Sequence, residues 1–135
     1  MNEHVAQLDR QFQAMGHETR VLAPGSADLG EHDDGHIYRL GMALPLPVNG
    51  SVSRITFAPS VTWKVRQFLS SEHFDVVHLH EPLTPLLCLA VLLHSDLPNV
   101  GTFHAARPNN VWYMYTKPVI DLFFAKLDVR VAVSE

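Results

Sequence analysis

The sequence predicts an α/β protein with a Rossmann-like parallel sheet and helices on both faces. Short apolar runs typical of strands alternate with segments whose apolar residues recur at helical spacing. Clusters of proline, glycine and polar residues separate these segments. Two of the strands end in polar, proton-bearing side chains, and ligands of open parallel sheets bind beyond such strand ends.

The first half of the chain begins on a helix. Apolar residues recur at helical spacing over His4–Met15, and Gly16 follows where a left-handed cap belongs. The next expected elements are a strand at 18–23 stopped by Pro24-Gly25, an acidic loop at 26–36, a strand at 37–40, a loop at 45–53 and a brief strand at 55–57. The loop at 45–53 is expected because it contains two prolines, Asn49-Gly50 and two serines.

The second half alternates helices and strands more regularly. Ser60 can cap a helix with an apolar face of Val61, Val65, Phe68 and Leu69, which leaves Trp63, Lys64, Arg66 and Gln67 mostly on other faces. The next expected elements are a strand at 75–80, a buried helix from Thr84 and Pro85 to Leu93, a strand at 99–103, a helix at 111–126 kinked or split at Pro118, and a strand at 129–133.

The chain starts on a helix, although a doubly wound fold normally opens with a strand and a glycine-rich turn. In the usual strand order the missing strand is the central one, between 18–23 and 75–80. Its loss would open a gap of about twice the usual strand spacing and leave two rows of backbone groups unpaired. The last residues, 131–135, stop where a strand runs into a ligand-facing loop. We therefore expect a domain truncated at both ends.

Composition narrows the classes of function. With 10 Lys and Arg against 14 Asp and Glu, and a net charge of -4, the chain has no basic footprint for nucleic acid. Its single cysteine, Cys88, suits a reducing compartment and is expected in the core. The longest apolar run, 86–93, is far shorter than the roughly 18 to 20 residues that cross a bilayer, and no signal peptide opens the chain. We expect a cytosolic or membrane-peripheral protein.

Five segments across nearly the whole chain resemble, in order and spacing, the amino-terminal domain of family 4 glycosyltransferases. They are Gly16–Glu18 with Val21–Pro24, Asn49–Arg54, Phe74–Pro82, Thr102–His104 and Arg130–Glu135. Within that family they are most similar to the phosphatidylinositol mannosyltransferases. The resemblance implies a GT-B architecture in which residues 1–135 form the acceptor domain and a donor-binding domain, absent from this chain, holds the nucleotide-sugar.

The resemblance also implies an activity. Such enzymes transfer a sugar with retention and without a metal or other cofactor. The donor would be a nucleotide-sugar such as GDP-mannose, and the acceptor a lipid or phosphate-bearing molecule such as phosphatidylinositol. The expected location is the cytoplasm, with peripheral contact at the inner face of the cell membrane. These 135 residues alone are expected to transfer no sugar.

Residue roles follow from the same resemblance. His104 matches a histidine at the reacting centre that positions the acceptor hydroxyl and the sugar, a role that suits an imidazole. Asn49, Ser51 and Arg54 match a loop that holds the phosphate and ring of the inositol acceptor, and Glu81 is expected at the edge of the acceptor cleft. The alternatives are a histidine that caps a strand, and an ordinary Asn-Gly turn with a solvated arginine.

The chain departs from the phosphatidylinositol enzymes in two places. In those enzymes, the helix that touches the membrane carries a basic cluster, and this chain keeps Lys64 and Arg66 of that cluster. The residues beside these two, and residues after the catalytic histidine, differ. These departures are Trp63 and Gln67 on the helix, and Ala105 and Asn109 where a threonine and a lysine contact the acceptor. They weigh against membrane docking and against an inositol phosphate acceptor. Trp63 can still anchor at an interface, although a partly buried core tryptophan is more common.

Two functions of other classes remain open. His78 and His80 share one face of a strand and, with Glu81 or His104, could form the metal site of a hydrolase. No third ligand stands at a motif spacing, so we expect strand and cleft structure there, and no metal. The other alternative is a stand-alone α/β module that binds a nucleotide or phosphate without chemistry, and the missing glycine-rich turn counts against it.

Overall fold

The computed structural model describes residues 3–25, 32–33, 36–48, 51–56, 60–83, 86–104, 118 and 120–133. They form two compact units, one ending at Val61 and one starting at Thr62. Each unit has its own small sheet that contains parallel strand pairs. The predicted α/β class with parallel strands and helices is confirmed.

Helix α1, Glu3–Ala14, opens the first unit and ends as the sequence predicts. Gly16 has a φ of 89°, in the left-handed region that an L side chain rarely adopts. The Gly16 N–H donates to the Gln13 carbonyl at 2.9 Å, and the His17 N–H donates to the Phe12 carbonyl at 3.0 Å. These two bonds form a Schellman motif, which satisfies carbonyls that the end of a helix leaves without partners.

The first sheet is built around one long strand. Strand β3, Ile37–Val48, pairs in parallel with β1, Val21–Gly25, and antiparallel with β2, His32–Asp33, and β4, Ser51–Thr56. The sequence predicts that Pro24-Gly25 ends this strand, but both residues belong to β1. The pairing register with β3 shifts between them. A Cβ added at Gly25 would lie 2.5 Å from the Arg39 Cβ, so this close approach of two strands requires glycine.

The predicted loop at 45–53 is wrong. Its described residues belong to β3 and β4, which pair from Ala43 with Thr56 to Val48 with Ser51. Only Asn49-Gly50, outside the described residues, separates the two strands. Counted from the closing Val48–Ser51 pair, Pro45 and Pro47 fall at alternate, non-hydrogen-bonded positions, so neither removes a bond to β4. Asn-Gly between two strands is a strong hairpin signal, and it outweighs the two prolines.

A buried carboxylate connects α1 to the residues that precede the strands of this unit. Asp9 is 8% exposed. Its oxygens accept hydrogen bonds from Thr19 Oγ1 at 2.5 Å and Gln13 Nε2 at 3.2 Å, and lie 3.0 Å from His36 Nε2. Because a buried carboxylate without partners is costly, these contacts hold the helix against the entries to β1 and β3.

The second unit contains a fully parallel three-stranded sheet. Helix α2, Val61–Ser71, begins at the boundary between the units, and strand β5, Val77–His80, leads to helix α3, Leu87–His94. Strand β6, Asn99–Phe103, lies between β5 and β7, Val129–Ala132. The predicted bounds of β6 are confirmed, and β5 starts two residues later than predicted. Pro118 and residues 120–124 are helical, whereas 111–117 and the predicted cap Thr84 with Pro85 lie outside the described residues.

Apolar side chains from α2, α3, β5 and the segment before β7 fill the second unit. The buried ones are Val65, Leu79, Leu87, Ala90, Val91, Leu92 and Leu127. Half of the residues of helix α3 are buried, so the prediction of a buried helix holds only in part, and Leu93 is 56% exposed. Lys126 closes its carboxyl end, because the ammonium donates to the carbonyls of Leu92 at 2.5 Å and Leu93 at 3.2 Å. A cation at this end also offsets the negative pole of the helix.

Candidate functional site

Polar side chains meet where β5 and β6 end. The two strands run in parallel with His78 opposite Val100 and His80 opposite Thr102. Side chains two residues apart on a strand share a face, so His78 and His80 on β5 share a face with Thr102 on β6 and His104 just beyond it. The structure therefore brings the predicted residue His104 to both predicted β5 histidines at one sheet edge.

His104 and His80 are in direct contact through their rings. His80 Nδ1 lies 3.2 Å from His104 Nε2, and the rings are stacked with centroids 5.5 Å apart and an interplanar angle of 20°. A hydrogen bond at this distance needs one ring to donate and the other to accept. A metal ion bound by these two nitrogens would need both nitrogens unprotonated, whereas the hydrogen bond needs a proton on one of them. The pair can therefore share a hydrogen bond or bind a metal ion, but not both.

His78 contacts both strands of this edge. Its Nε2 is 2.8 Å from Thr102 Oγ1, and Thr102 is 3% exposed. The His78 and His80 rings lie 4.5 Å apart, tilted by 31°. His78 is therefore a hydrogen-bonded strand residue beside the ring of His80, and it is half-buried, as His80 is.

Glu81 connects the ends of the two strands. Its backbone N–H donates to the Thr102 carbonyl at 2.8 Å, and its Oε1 accepts the backbone N–H of His104 at 2.6 Å. Glu81 also has a φ of 53°, in the left-handed region. Sequence reasoning placed Glu81 at the cleft edge but missed its bond to His104, and missed Thr102 as the partner of His78. No signal in the sequence points to this turn, because a residue before a proline is expected to be extended.

Cys88 packs behind this edge. Its thiol lies 3.7 Å from the His80 carbonyl. Burial, and secondarily the negative charge of Glu81, raise the pKa of Cys88 to about 11. The cysteine is therefore a neutral, unreactive thiol at neutral pH, which agrees with the predicted packing role.

Three of the predicted acceptor-binding residues, Asn49, Ser51 and Arg54, belong to the first unit, whereas the fourth, Glu81, belongs to the second. Ser51 and Arg54 belong to β4, opposite Val48 and Pro45 of β3. Asn49 and the side chains of Ser51 and Arg54 lie outside what the structure describes, as do Ala105 and Asn109. Their roles stay predictions.

The predicted membrane-contact residues lie on α2. Trp63 is 63% exposed, so it is not the partly buried core tryptophan that is more common. Lys64 is half-buried, and Arg66 and Gln67 are exposed, while Val61 and Val65 are buried. The predicted division of this helix into faces is confirmed. Among the described residues, no helix combines the length and the hydropathy needed to cross a bilayer.

Comparison with known proteins identifies the class. The family model described as Glycosyltransferase Family 4 matches residues 1–135, so the chain belongs to this family. The resemblance noted from the sequence is confirmed.

Curated relatives carry one printed name, phosphatidyl-myo-inositol mannosyltransferase. The protein of Mycobacterium leprae is 37% identical over 135 residues, that of Propionibacterium freudenreichii 35% over 139, and that of Mycolicibacterium smegmatis 34% over 135. These matches cover 99–100% of this chain and 34–36% of the relatives. The chain therefore spans about a third of the length of the curated relatives that it matches.

Proposed function

We propose that the protein containing this chain transfers mannose from a nucleotide-sugar, GDP-mannose, to a phosphatidylinositol-type acceptor, and that residues 1–135 form its acceptor domain. The main support is the match of the whole chain to relatives that share one activity in their names. The donor-binding domain would lie outside these 135 residues. Family membership favours transfer over the metal-dependent hydrolase and over the binding module without chemistry.

In the proposed reaction the bond between the sugar C1 and the nucleotide phosphate breaks with its electron pair on the phosphate. A new bond forms between C1 and an acceptor hydroxyl oxygen, whose proton leaves with the nucleoside diphosphate. His104 positions the acceptor hydroxyl and the sugar, with its imidazole donating or accepting one hydrogen bond, so that the reacting atoms meet in one geometry. Its place at a strand end agrees with where parallel sheets hold ligands. No step of the proposal uses a metal ion.

Arg54, Asn49 and Ser51 are the proposed acceptor contacts. A guanidinium binds a phosphate through two parallel hydrogen bonds, which lysine cannot reproduce. Asn49 and Ser51 offer an amide and a hydroxyl to the ring hydroxyls of inositol. An Arg54→Lys variant of the full-length protein should therefore raise the KM for the acceptor with little change in kcat, and a change confined to kcat would contradict the assignment.

Peripheral contact with the inner face of the cell membrane is the proposed location, through Trp63, Lys64 and Arg66. An exposed indole can lie at the level of lipid headgroups while two cations meet anionic lipids. Sedimentation with anionic vesicles tests this contact. Trp63→Ala should lower the bound fraction, whereas equal binding by the variant and the wild type would remove α2 from the interface.

The activity itself is tested with the full-length protein, GDP-mannose and vesicles of phosphatidylcholine with phosphatidylinositol. Mass spectrometry should find a mannosyl lipid, its yield should be unchanged by EDTA, and vesicles of pure phosphatidylcholine should give none. Product from UDP-glucose but not GDP-mannose would contradict the donor. Product on another acceptor with phosphatidylinositol untouched would contradict the acceptor, and no transfer from any nucleotide-sugar would contradict the enzyme class.

A further inference from the structure

We propose that Glu81 is a positioning residue, whose carboxylate replaces a sheet hydrogen bond and so holds His104 at the reacting centre while the backbone leaves the sheet. This inference rests on the proposed role of His104. It differs from the sequence-based expectation, in which Glu81 contacts the acceptor.

The hydrogen-bond pattern of the sheet shows what the carboxylate replaces. The Glu81 N–H donates to the Thr102 carbonyl at 2.8 Å, on the β5 side of β6. The next carbonyl, of Phe103, accepts the Val133 N–H at 3.0 Å on the β7 side. Because backbone groups alternate sides along a strand, the N–H of His104 faces the β5 side. In a continued parallel ladder, the backbone carbonyl of Glu81 would accept this N–H.

The chain turns at Glu81 before that bond forms. Its φ of 53° takes the backbone out of the extended region, and β5 ends at the preceding residue, His80. The Glu81 side chain then supplies the acceptor, with Oε1 2.6 Å from the His104 nitrogen. A hydrogen bond from an amide to an ionised carboxylate is stronger than the amide-to-carbonyl bond that it replaces.

Keeping glutamate in the left-handed region has a cost. A residue with a Cβ loses roughly 1–2 kcal/mol in this conformation, and only glycine adopts it freely. Strained backbone positions persist where the surrounding contacts compensate for them, and such positions cluster at functional sites. The bond to His104 is a compensating contact that Glu81 offers and glycine cannot.

Two of the contacts of His104 restrict it at different atoms. Glu81 fixes the backbone at one end of the residue, and His80 Nδ1 contacts the ring at the other. Two fixed points restrict both the position and the rotation of the imidazole. A displacement of a reacting group by about 1 Å can lower the rate by up to about a hundredfold. Loss of one of these two contacts should therefore reduce turnover.

Three substitutions of Glu81 and one control variant in the full-length protein test the inference, with kcat and the KM for the acceptor measured separately. Glu81→Ala removes the acceptor oxygen and should lower kcat by about tenfold to a hundredfold, with the acceptor KM changed by less than about threefold. Glu81→Gln keeps an amide oxygen and should stay within about fivefold of the wild-type kcat. Asp96→Ala, at an exposed acidic residue after α3, serves as the matched control with wild-type kinetics.

Glu81→Gly separates backbone strain from the carboxylate bond. Glycine relaxes the left-handed turn, so this variant should unfold no more easily than Glu81→Ala but should have the same low kcat. Recovery of turnover in Glu81→Gly would overturn the inference. Equal losses in Glu81→Ala and Glu81→Gln, with a raised acceptor KM, would also overturn it, in favour of direct contact between the Glu81 charge and the acceptor.

Hydrogen exchange keeps this test independent of the proposed function. The His104 amide should exchange faster in Glu81→Ala than in the wild type, and the Asp96→Ala control should leave it unchanged. If His104→Ala retains full turnover, the proposed role of His104 fails, while faster exchange in Glu81→Ala still supports the bond that holds it. Unchanged exchange in Glu81→Ala would overturn the inference whatever the activity.

Discussion

Replacing Gly101 by alanine should destabilise the second unit, because the space beside this residue is already filled. Gly101 lies in the middle of β6, opposite Leu79 of β5 and Arg130 of β7. A Cβ built there would lie 2.9 Å from Leu127 Cδ1, 3.1 Å from Pro82 Cγ and 3.2 Å from Leu127 Cδ2. Ordinary contacts of a Cβ begin at 3.4 Å, so Leu127 Cδ1 would have to retreat by about 0.5 Å.

Neither neighbour can move freely. Leu127 is 5% exposed, and Pro82 is a rigid ring that is fully buried. An extra methyl group forced into a packed core costs about 1–3 kcal/mol. We expect Gly101→Ala to cost about 2 kcal/mol, near the middle of that range, because two side chains have to shift. Local hydrogen exchange of the β6 amides in the full-length protein measures this loss within the unit itself.

A second substitution checks the cause. Leu127→Val moves methyl groups away from Gly101 and should cost about 1 kcal/mol alone, as the loss of one buried methylene does. Combined with Gly101→Ala, it should be less destabilising than the sum of the two by about 1 kcal/mol, because the new methyl occupies the space that is vacated. Additive losses, or a stable Gly101→Ala, would refute the reasoning from packing.

Three further predictions concern Leu92 in the core, Lys126 at the end of α3, and the pKa of Cys88. Leu92→Ala should cost about 2–5 kcal/mol of unfolding free energy by hydrogen exchange, because the side chain is 0% exposed and leaves a cavity, and exchange like that of the wild type would contradict the core assignment. Lys126→Met should cost about 1 kcal/mol in the same measurement, since two carbonyls at the end of α3 lose their donor, and faster exchange should be confined to that end. Cys88 should resist iodoacetamide in the native state at pH 8. Because the pKa of Cys88 is raised from 9.0 to about 11, the thiol contributes fully to the stability of the folded state below pH 9, and this contribution is lost as pH rises towards 11. A stability that rises over this interval would contradict the raised pKa.

Most strands and helices could be predicted because local pattern and tertiary structure agree on them. β6 runs from Asn99 to Phe103 as predicted, and the Gly16 cap follows from the backbone conformation that only glycine adopts freely. The hairpin around Asn49-Gly50 was missed because the two prolines were interpreted as strand breakers. Only the register shows that both prolines occupy positions that need no bond to β4.

The candidate site could be predicted in part. Parallel strands bring their carboxyl ends to one edge, so the approach of His80 to His104 follows from the order of the strands. The bond from His104 to Glu81 does not follow, because it depends on the left-handed turn of a glutamate, which no local propensity predicts. The pairing of His78 with Thr102 likewise depends on the register between β5 and β6.

The central claim is that His104 acts at the reacting centre of a sugar transferase. The most direct measurement is kcat for mannosyl transfer by the full-length protein carrying His104→Ala, beside His73→Ala at an exposed histidine of the same unit. We predict that His104→Ala lowers kcat by about 10²–10⁴-fold with an unchanged unfolding temperature, and that His73→Ala leaves kcat at the wild-type value. A wild-type kcat in His104→Ala would contradict the claim.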